Sequence, residues 1–385
     1  MIEPKLRFKA DDGSQFPDWE EKTLGDIGTA KMCKRVLKEQ TSEKGDVPFY
    51  KIGTFGGTPD AFISRELYEE LKAKYSFPRK GNILLSAAGT IGRTVVYDGQ
   101  DAFFQDSNIV WLDNDDSVLD GFLLQFYNKT SWDNLEGGTI KRLYNGLFLS
   151  KVIHVPSLPE QQKIAEFLST IDTVIEKQKE TISAWEERKK GVMQKLFSQE
   201  VRFKADDGSE FPEWEEKKLG DVCEYGKGQS VGINYVGTEN MNQNFSGVDS
   251  LDSTNEVNGM IYCVGDTLMS NIRPYLKKTW KADRNGVCST DVLVFRPVNI
   301  DSDFLYYNIS SEKFVLYVMT GVKGSKMPRG DKGHIMEYNM PIPCLTEQQK
   351  IADCLSSLDE VIKKQKATLT AWKELKKGLL QQMFV

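Results

Sequence analysis

The sequence predicts an α+β protein arranged as a pseudo-twofold tandem duplication, with two similar α/β domains separated by a long antiparallel two-helix coiled coil. Three observations predict it. Residues 7–27, RFKADDGSQFPDWEEKTLGDI, recur at 202–222 as RFKADDGSEFPEWEEKKLGDV. Residues 156–197, which open PSLPEQQKIAEFLST, recur at 343–384, which open PCLTEQQKIADCLSS. Between these copies 81–86 falls on 265–270, and Gln105-Asp106-Ser107 falls on Ser289-Thr290-Asp291, while the rest of 28–155 and 223–342 has diverged. A period of roughly 190 residues is too long for a solenoid, whose repeats run about 20–50. Duplication followed by drift does not by itself confine the divergence to two segments. The implied boundaries are a first domain at 1–155, which includes its repeated segment, and a first helix at 156–200. A second domain at 201–342, again with its repeated segment, precedes a second helix at 343–385.

Within the domains, short β-rich runs at 82–86, 94–97, 109–112, 267–270 and 292–296 are separated by Gly, Asn and Asp turns. Helical stretches near 118–128 and 303–318 follow them. Each repeated helix opens at a Glu, after Pro159 in one copy and Thr346 in the other, and then runs with no Pro and almost no Gly. Its apolar residues keep a 4-3 rhythm from Ile164 to Leu196 and from Ile351 to Met383. That spacing predicts a coiled coil, and the partner at hand is the other copy. Antiparallel pairing carries the two domains to opposite ends of a rod about 55 Å long at 1.5 Å per residue. Both seams are broken at equivalent places, by Gln178 and Gln365 and by Lys189 and Lys376. Setting Gln178 near Gln365 brings Ile171 opposite Trp372 and Trp185 opposite Leu358, so the glutamines are expected to fix register. A seam of this kind also suits the helix of another protein.

The formal net charge of −6 argues against a nucleic-acid partner unless cations cluster. The acidic excess sits in 1–27 and 199–222, and the remainder holds basic, Gly-rich loops. In the first domain these contain Arg79 and Lys80, then Thr90 and Arg93 within Gly89-Thr90-Ile91-Gly92-Arg93, then Lys141 and Arg142 after Gly138. In the second they contain Asn271, Arg273, Tyr275 and Lys277, then Lys323, Ser325, Lys326 and Arg329 in the run 321–332. Glycine lets a backbone approach phosphate closely, Arg and Lys can also pair with guanine, and Asn with adenine. A Lys-rich surface loop that is simply solvated is the competing reading of each loop taken singly.

Much is excluded. The six cysteines form no CxxC pair and there are two histidines, which argues against zinc and for buried free thiols in a reducing compartment. No stretch approaches the roughly 20 apolar residues of a membrane span, and the start lacks the apolar core of a signal peptide, so a cytoplasmic protein is expected. Pro17-Asp18-Trp19-Glu20-Glu21-Lys22 has the letters of a nuclease site, but its carboxylates are adjacent, and Trp19 and Trp214 read as anchors of a linker. GDVCEYGKG at 220–228 lacks the spacing and hydroxyl of a phosphate loop. There is no GxSxG, HExxH, Asn-Pro-Pro-Tyr or Asp-Pro-Pro-Tyr stretch, so neither a catalytic residue nor a metal site is expected on this chain.

Two diverged domains, each followed by a P-x-L-x-E-Q-Q-K-I-A segment that opens a long helix, resemble the specificity (S) subunit of type I restriction-modification enzymes. The segments are Pro156-Ser157-Leu158-Pro159-Glu160-Gln161-Gln162-Lys163-Ile164-Ala165 and Pro343-Cys344-Leu345-Thr346-Glu347-Gln348-Gln349-Lys350-Ile351-Ala352. Thr346 departs from the usual Pro. Residues 265–276 and 286–291 are similar to segments common in the target-recognition domains of that family. The resemblance covers essentially the whole chain. It implies that each domain reads one half of a split, asymmetric site in double-stranded DNA, while the paired helices set the gap and dock two modification (methyltransferase) subunits. It further implies that those subunits use S-adenosylmethionine to methylate a flipped adenine, and that restriction subunits use ATP and magnesium. No cofactor is then expected on this chain. Two other classes fit the residues alone: a coiled-coil scaffold whose domains bind proteins or sugars, and a self-sufficient nuclease.

Overall fold

Strands of the first domain alternate two sets of apolar residues, and each set finds its own core. The computed structural model describes residues 4–132, 142–324 and 326–384. Contacts divide the chain into two units, residues 1–180 with 367–385 and residues 181–366, so that each takes a stretch of both long helices.

In the first unit four antiparallel strands lie in the order Gly28–Lys31, Ile109–Asn114, Ile83–Ser86, Thr94–Val96. Ile83, Leu85, Val110 and Leu112 face a core shared with Phe122, Leu123 and Phe126 of the helix Asp120–Lys129. Leu84, Ile109 and Trp111 point the other way, into a second core with Val47, Phe49, Phe103 and Tyr68. That core is closed by a small sheet, Phe62–Ile63, Val47–Tyr50 and Phe103–Phe104, and by the helix Arg65–Lys74. The second unit repeats the plan. Its sheet runs Cys223–Tyr225, Val292–Pro297, Thr267–Ser270, Thr279–Lys281, with helices Ser302–Ile309 and Glu312–Thr320 on one face. A small sheet, Gln229–Gly232, Val257–Tyr262 and Gly286–Cys288, covers the other.

The long helices span Leu158–Phe197 and Leu345–Met383, and every position of the 4-3 seam is buried or half-buried. In the first unit Ile164, Leu168, Ile171 and Ile175 share a core with Leu380, Met383 and Phe384, and Leu369 and Trp372 pack against it. In the second, Leu196 shares a core with Ile351 and Leu355, with Val192 and Leu358 against it. Within each unit, therefore, the early part of one helix meets the late part of the other, which is antiparallel pairing.

The lysines that interrupt the seam are partnered. Lys376 lies 2.5 Å from Asp172, whose other oxygen accepts from Gln125, and Lys189 lies 2.6 Å from Asp359, whose other oxygen accepts from Tyr307. Each node thus ties both long helices to the adjacent domain helix. A double-mutant cycle of Lys376→Met and Asp172→Asn in urea unfolding should give a coupling of about 1 kcal/mol that shrinks with added salt, since the pair is only partly buried.

The repeated motif letters have direct structural jobs. Glu160 and Glu347 are fully buried at the helix starts. Glu160 accepts two hydrogen bonds from Arg7, at 3.0 and 2.8 Å, and one from Trp19 Nε1 at 3.1 Å. Glu347 accepts the same three from Arg202, at 3.1 and 2.8 Å, and from Trp214 at 3.0 Å. Both arginines also donate to two backbone carbonyls of the repeated segment, Phe16 and Pro17 or Phe211 and Pro212. The following glutamines cap the domain helices: Gln161 Oε1 accepts from Leu119 N, and Gln348 Oε1 accepts from Asp301 N. The segments read as linkers are more than that. Glu20–Thr23 pairs antiparallel with Val152–Val155, and Glu215–Lys218 with Asn339–Ile342. The tryptophans do anchor by packing, Trp19 on Phe122 and Phe384, and Trp214 on Phe304.

One expectation needs correction. Cys33, Cys223 and Cys288 are buried free thiols, pushed up to about 12 by burial, but Cys263 and Cys344 are exposed and Cys354 is half-buried. Cys263 lies in a loop, Cys344 directly before the second long helix, and Cys354 within that helix, off its apolar seam. Among the described residues no helix is long and apolar enough to cross a membrane.

Candidate nucleic-acid interface

The hydrogen-bonding side chains of each domain gather where two loops meet beyond the same strand. In the first domain the loop after Ile83–Ser86 is folded on itself by Ser86 Oγ, which donates to Thr90 O at 2.6 Å and accepts from Arg93 N at 2.8 Å. Ala88 bridges to Arg142, and Leu143 N donates to Ala87 O. The guanidinium groups are held by carbonyls: Arg93 donates to Phe55 O and Arg142 to Ser107 O, both at 2.8 Å. Because these acceptors are neutral, the cationic charge is not cancelled by the bonds that fix it. A cavity of about 280 Å³ opens beside them, lined by Ile52, Gly53, Ser86, Gly89, Thr90 and Arg93. Gly92 is required here, since it has φ +87° and a Cβ would lie 2.3 Å from the Trp132 ring.

In the second domain the loop after Thr267–Ser270 meets the run 321–331 in an equivalent way. Ile272 bridges to Arg329, Arg273 N donates to Pro328 O at 2.8 Å, and Lys323 and Arg329 exchange backbone bonds. Arg329 donates to Asp291 Oδ1 at 3.1 Å, and Asp291 is the residue that aligns with Ser107. The same brace, an arginine from the late loop reaching the turn before the central strand, is therefore present in both domains. Several cations here are neutralised. Lys277 pairs with Glu312 at 2.6 Å, and Lys323 pairs with Asp331, whose carboxyl its hydrogen bond holds down at about 2. Arg273 and Lys326 are exposed and make no side-chain hydrogen bond or ion pair among the described residues, and Tyr275 is 47% exposed.

Of the residues singled out from sequence, the structure brings together Thr90, Arg93 and Arg142 in one domain and Asn271, Arg273, Tyr275, Lys277, Lys323, Lys326 and Arg329 in the other. Arg79 and Lys80 lie apart, at the opposite end of Ile83–Ser86, where Arg79 donates to Asn114 O. Lys141 and Ser325 lie outside the described residues. Gln178 falls in the first unit with Trp372, and Gln365 in the second with Trp185, and all four are half-buried. Sequence reasoning missed Ser107 and Asp291, and also Asn244 and Phe245, whose amides donate to Leu276 O and Lys277 O in the turn after Arg273. Ser107 and Asp291 left one signal, their alignment with each other. Among the described residues no group of three His, Cys, Asp or Glu is placed to hold a metal ion.

Comparison with known proteins bears on these domains. A family model described as type I restriction modification DNA specificity domain matches residues 17–184 and again 212–371. A protein of Haemophilus influenzae named provisionally as a type I restriction enzyme specificity subunit is 56% identical over 152 residues, which is 39% of this chain and 40% of that one. The type I restriction enzyme MjaVIII specificity subunit of Methanocaldococcus jannaschii is 26% identical over 92% of this chain and 89% of its own. Among solved structures, the type I restriction-modification S subunit of M. genitalium matches with a TM-score of 0.57 at 17% identity, over 100% of this chain and 99% of that one. A chain from a structure concerned with complex assembly and conformational transition of the type I R-M system matches at 0.52 and 16% identity, over 95% and 97%. At these identities the structural likeness speaks for the fold.

Proposed function

The chain belongs to the type I restriction modification DNA specificity family, and from that premise we propose that it is the sequence-recognition subunit of a type I restriction-modification complex. Each domain reads one half of a bipartite, asymmetric site in double-stranded DNA. The observation that carries this reading is the shared loop junction: one brace, Arg142 or Arg329, holds loops whose other side chains differ between the domains. A constant frame with variable contents is what two half-sites of different sequence require, since phosphate contacts position and base-edge contacts specify.

The long helices set the spacer between half-sites and dock two modification subunits. A helix of forty residues at about 1.5 Å each is about 60 Å long, against roughly 34 Å for one DNA turn. Gln178 and Gln365, at equivalent seam positions, fix its register, with Trp185 and Trp372 filling the seam. This chain supplies no catalysis. The modification subunits would bring S-adenosylmethionine for adenine methylation, and the restriction subunits ATP and magnesium for cleavage, in the cytoplasm where chromosome and invading DNA are both met.

The reading is tested by the salt dependence of DNA binding by this subunit with its modification subunits. Each phosphate contact adds about −0.9 to the slope of log affinity against log salt, so a slope of about −4 or steeper is expected. A slope near zero would instead identify a scaffold for uncharged ligands.

A further inference from the structure

We propose that Arg273 is the guanine-reading residue of the second domain, that Lys326 is a phosphate contact beside it, and that Arg329 is a positioning residue. The proposal deepens the DNA-reading function above and rests on it.

The turn that carries Arg273 is fixed to an unusual degree. Arg273 (φ +50°) and Lys277 (φ +56°) are both left-handed, and they flank a 3-10 turn, Pro274–Leu276. Two more non-glycine residues with positive φ, Asn244 and Phe245, donate their amides to Leu276 O and Lys277 O, at 3.1 and 2.7 Å. Such backbones are costly for residues with a Cβ, persist only where the surroundings over-determine them, and cluster at functional sites. Here the surroundings do so from three sides: Asn244 and Phe245, the Arg273 N to Pro328 O bond, and Asn271 N bonded to Asp291 O.

What this turn presents is a guanidinium with no side-chain hydrogen bond or ion pair among the described residues. The neighbouring cations Lys277, Lys323 and Arg329 are each matched to a carboxylate, and Lys278 donates to Thr238 O. Arg273 and Lys326 are exposed and unmatched among the described residues. An arginine fork on a fixed base meets guanine O6 and N7 at two points, which needs orientation. Lys326, a point charge two residues after the glycine Gly324 (φ +90°), suits a phosphate, which needs proximity alone. Arg329, spent on Asp291, holds the late loop against the turn and acts through Arg273.

The test uses the subunit assembled with its modification subunits and duplexes in which each base pair of both half-sites is replaced in turn. Wild type should discriminate about 10- to 100-fold at one G·C pair of the half-site read by the second domain. Arg273→Gly, which accepts positive φ, should abolish discrimination at that pair only. Arg273→Lys should keep part of the affinity but not the discrimination. Lys326→Ala should weaken binding by the same factor on every duplex and make the salt slope about one unit shallower. Arg329→Ala should lower affinity and blunt preference at that pair together, with the other half-site unchanged. The proposal is overturned if Arg273→Gly, with melting temperature and first half-site preference intact, still discriminates at every position. A wild-type complex indifferent to both half-sites overturns the DNA-reading function with it.

Discussion

Glu347→Gln is expected to destabilise the second unit by about 3 kcal/mol and to lower its melting temperature by roughly 6–12 °C. The carboxylate is fully buried and faces three donors, two from Arg202 and one from Trp214. An amide of the same shape offers one oxygen and one NH2, so at least one donor meets another donor. The Arg202 side chain is only 17% exposed and would keep a charge that water cannot reach well. Breaking such a pair from one side leaves an uncompensated charge, which is what makes the loss large. Glu160→Gln should act in the same way on the first unit through Arg7 and Trp19. Calorimetry of the full chain checks both. A shift of under 2 °C in either variant would mean that the clamp is a surface pairing of little consequence.

The clamp also shows what could be read from sequence and what could not. Arg7, Trp19 and Glu160 were visible as letters retained in both copies, yet 153 residues separate Arg7 from Glu160, and nothing local says that they touch. The central strands were legible because Ile83–Ser86, Ile109–Asn114 and Val292–Pro297 contain continuous apolar runs, at 83–85, 109–112 and 292–295, that are buried on both faces. Glu20–Thr23 was not, since a strand spelled EEKT pairs through its backbone along one edge and shows no apolar alternation. The seam predicted its own partner, but Asp172 and Asp359, which neutralise the seam lysines, lie one position off it and gave no periodic signal. At the loop junctions the cations were visible individually. Which of them are matched by acids and which stand open depends on Asp291, Glu312 and Asp331, which reach them only in the folded chain.

A second large effect is expected on specificity rather than stability. Four-stranded sheets of the same order carry both loop junctions, and each domain has its own pair of cores. The clamps that fasten the repeated segments to the helices lie outside the divergent regions, at 7–19 with 160 and at 202–214 with 347. Residues 223–342 can therefore be exchanged, provided the donor domain keeps the equivalents of Asp301, whose backbone amide Gln348 accepts, of Phe304, on which Trp214 packs, and of Tyr307, which donates to Asp359. The exchange should replace one half of the recognised site completely and leave the other as it was.

Sequencing of methylated adenines across the genome measures that independence most directly. Cells carrying the chain with 223–342 taken from another family member should show a bipartite motif in which one half is new, while the other half and the gap are retained. A motif changed in both halves, or one unaltered by the exchange, would contradict it.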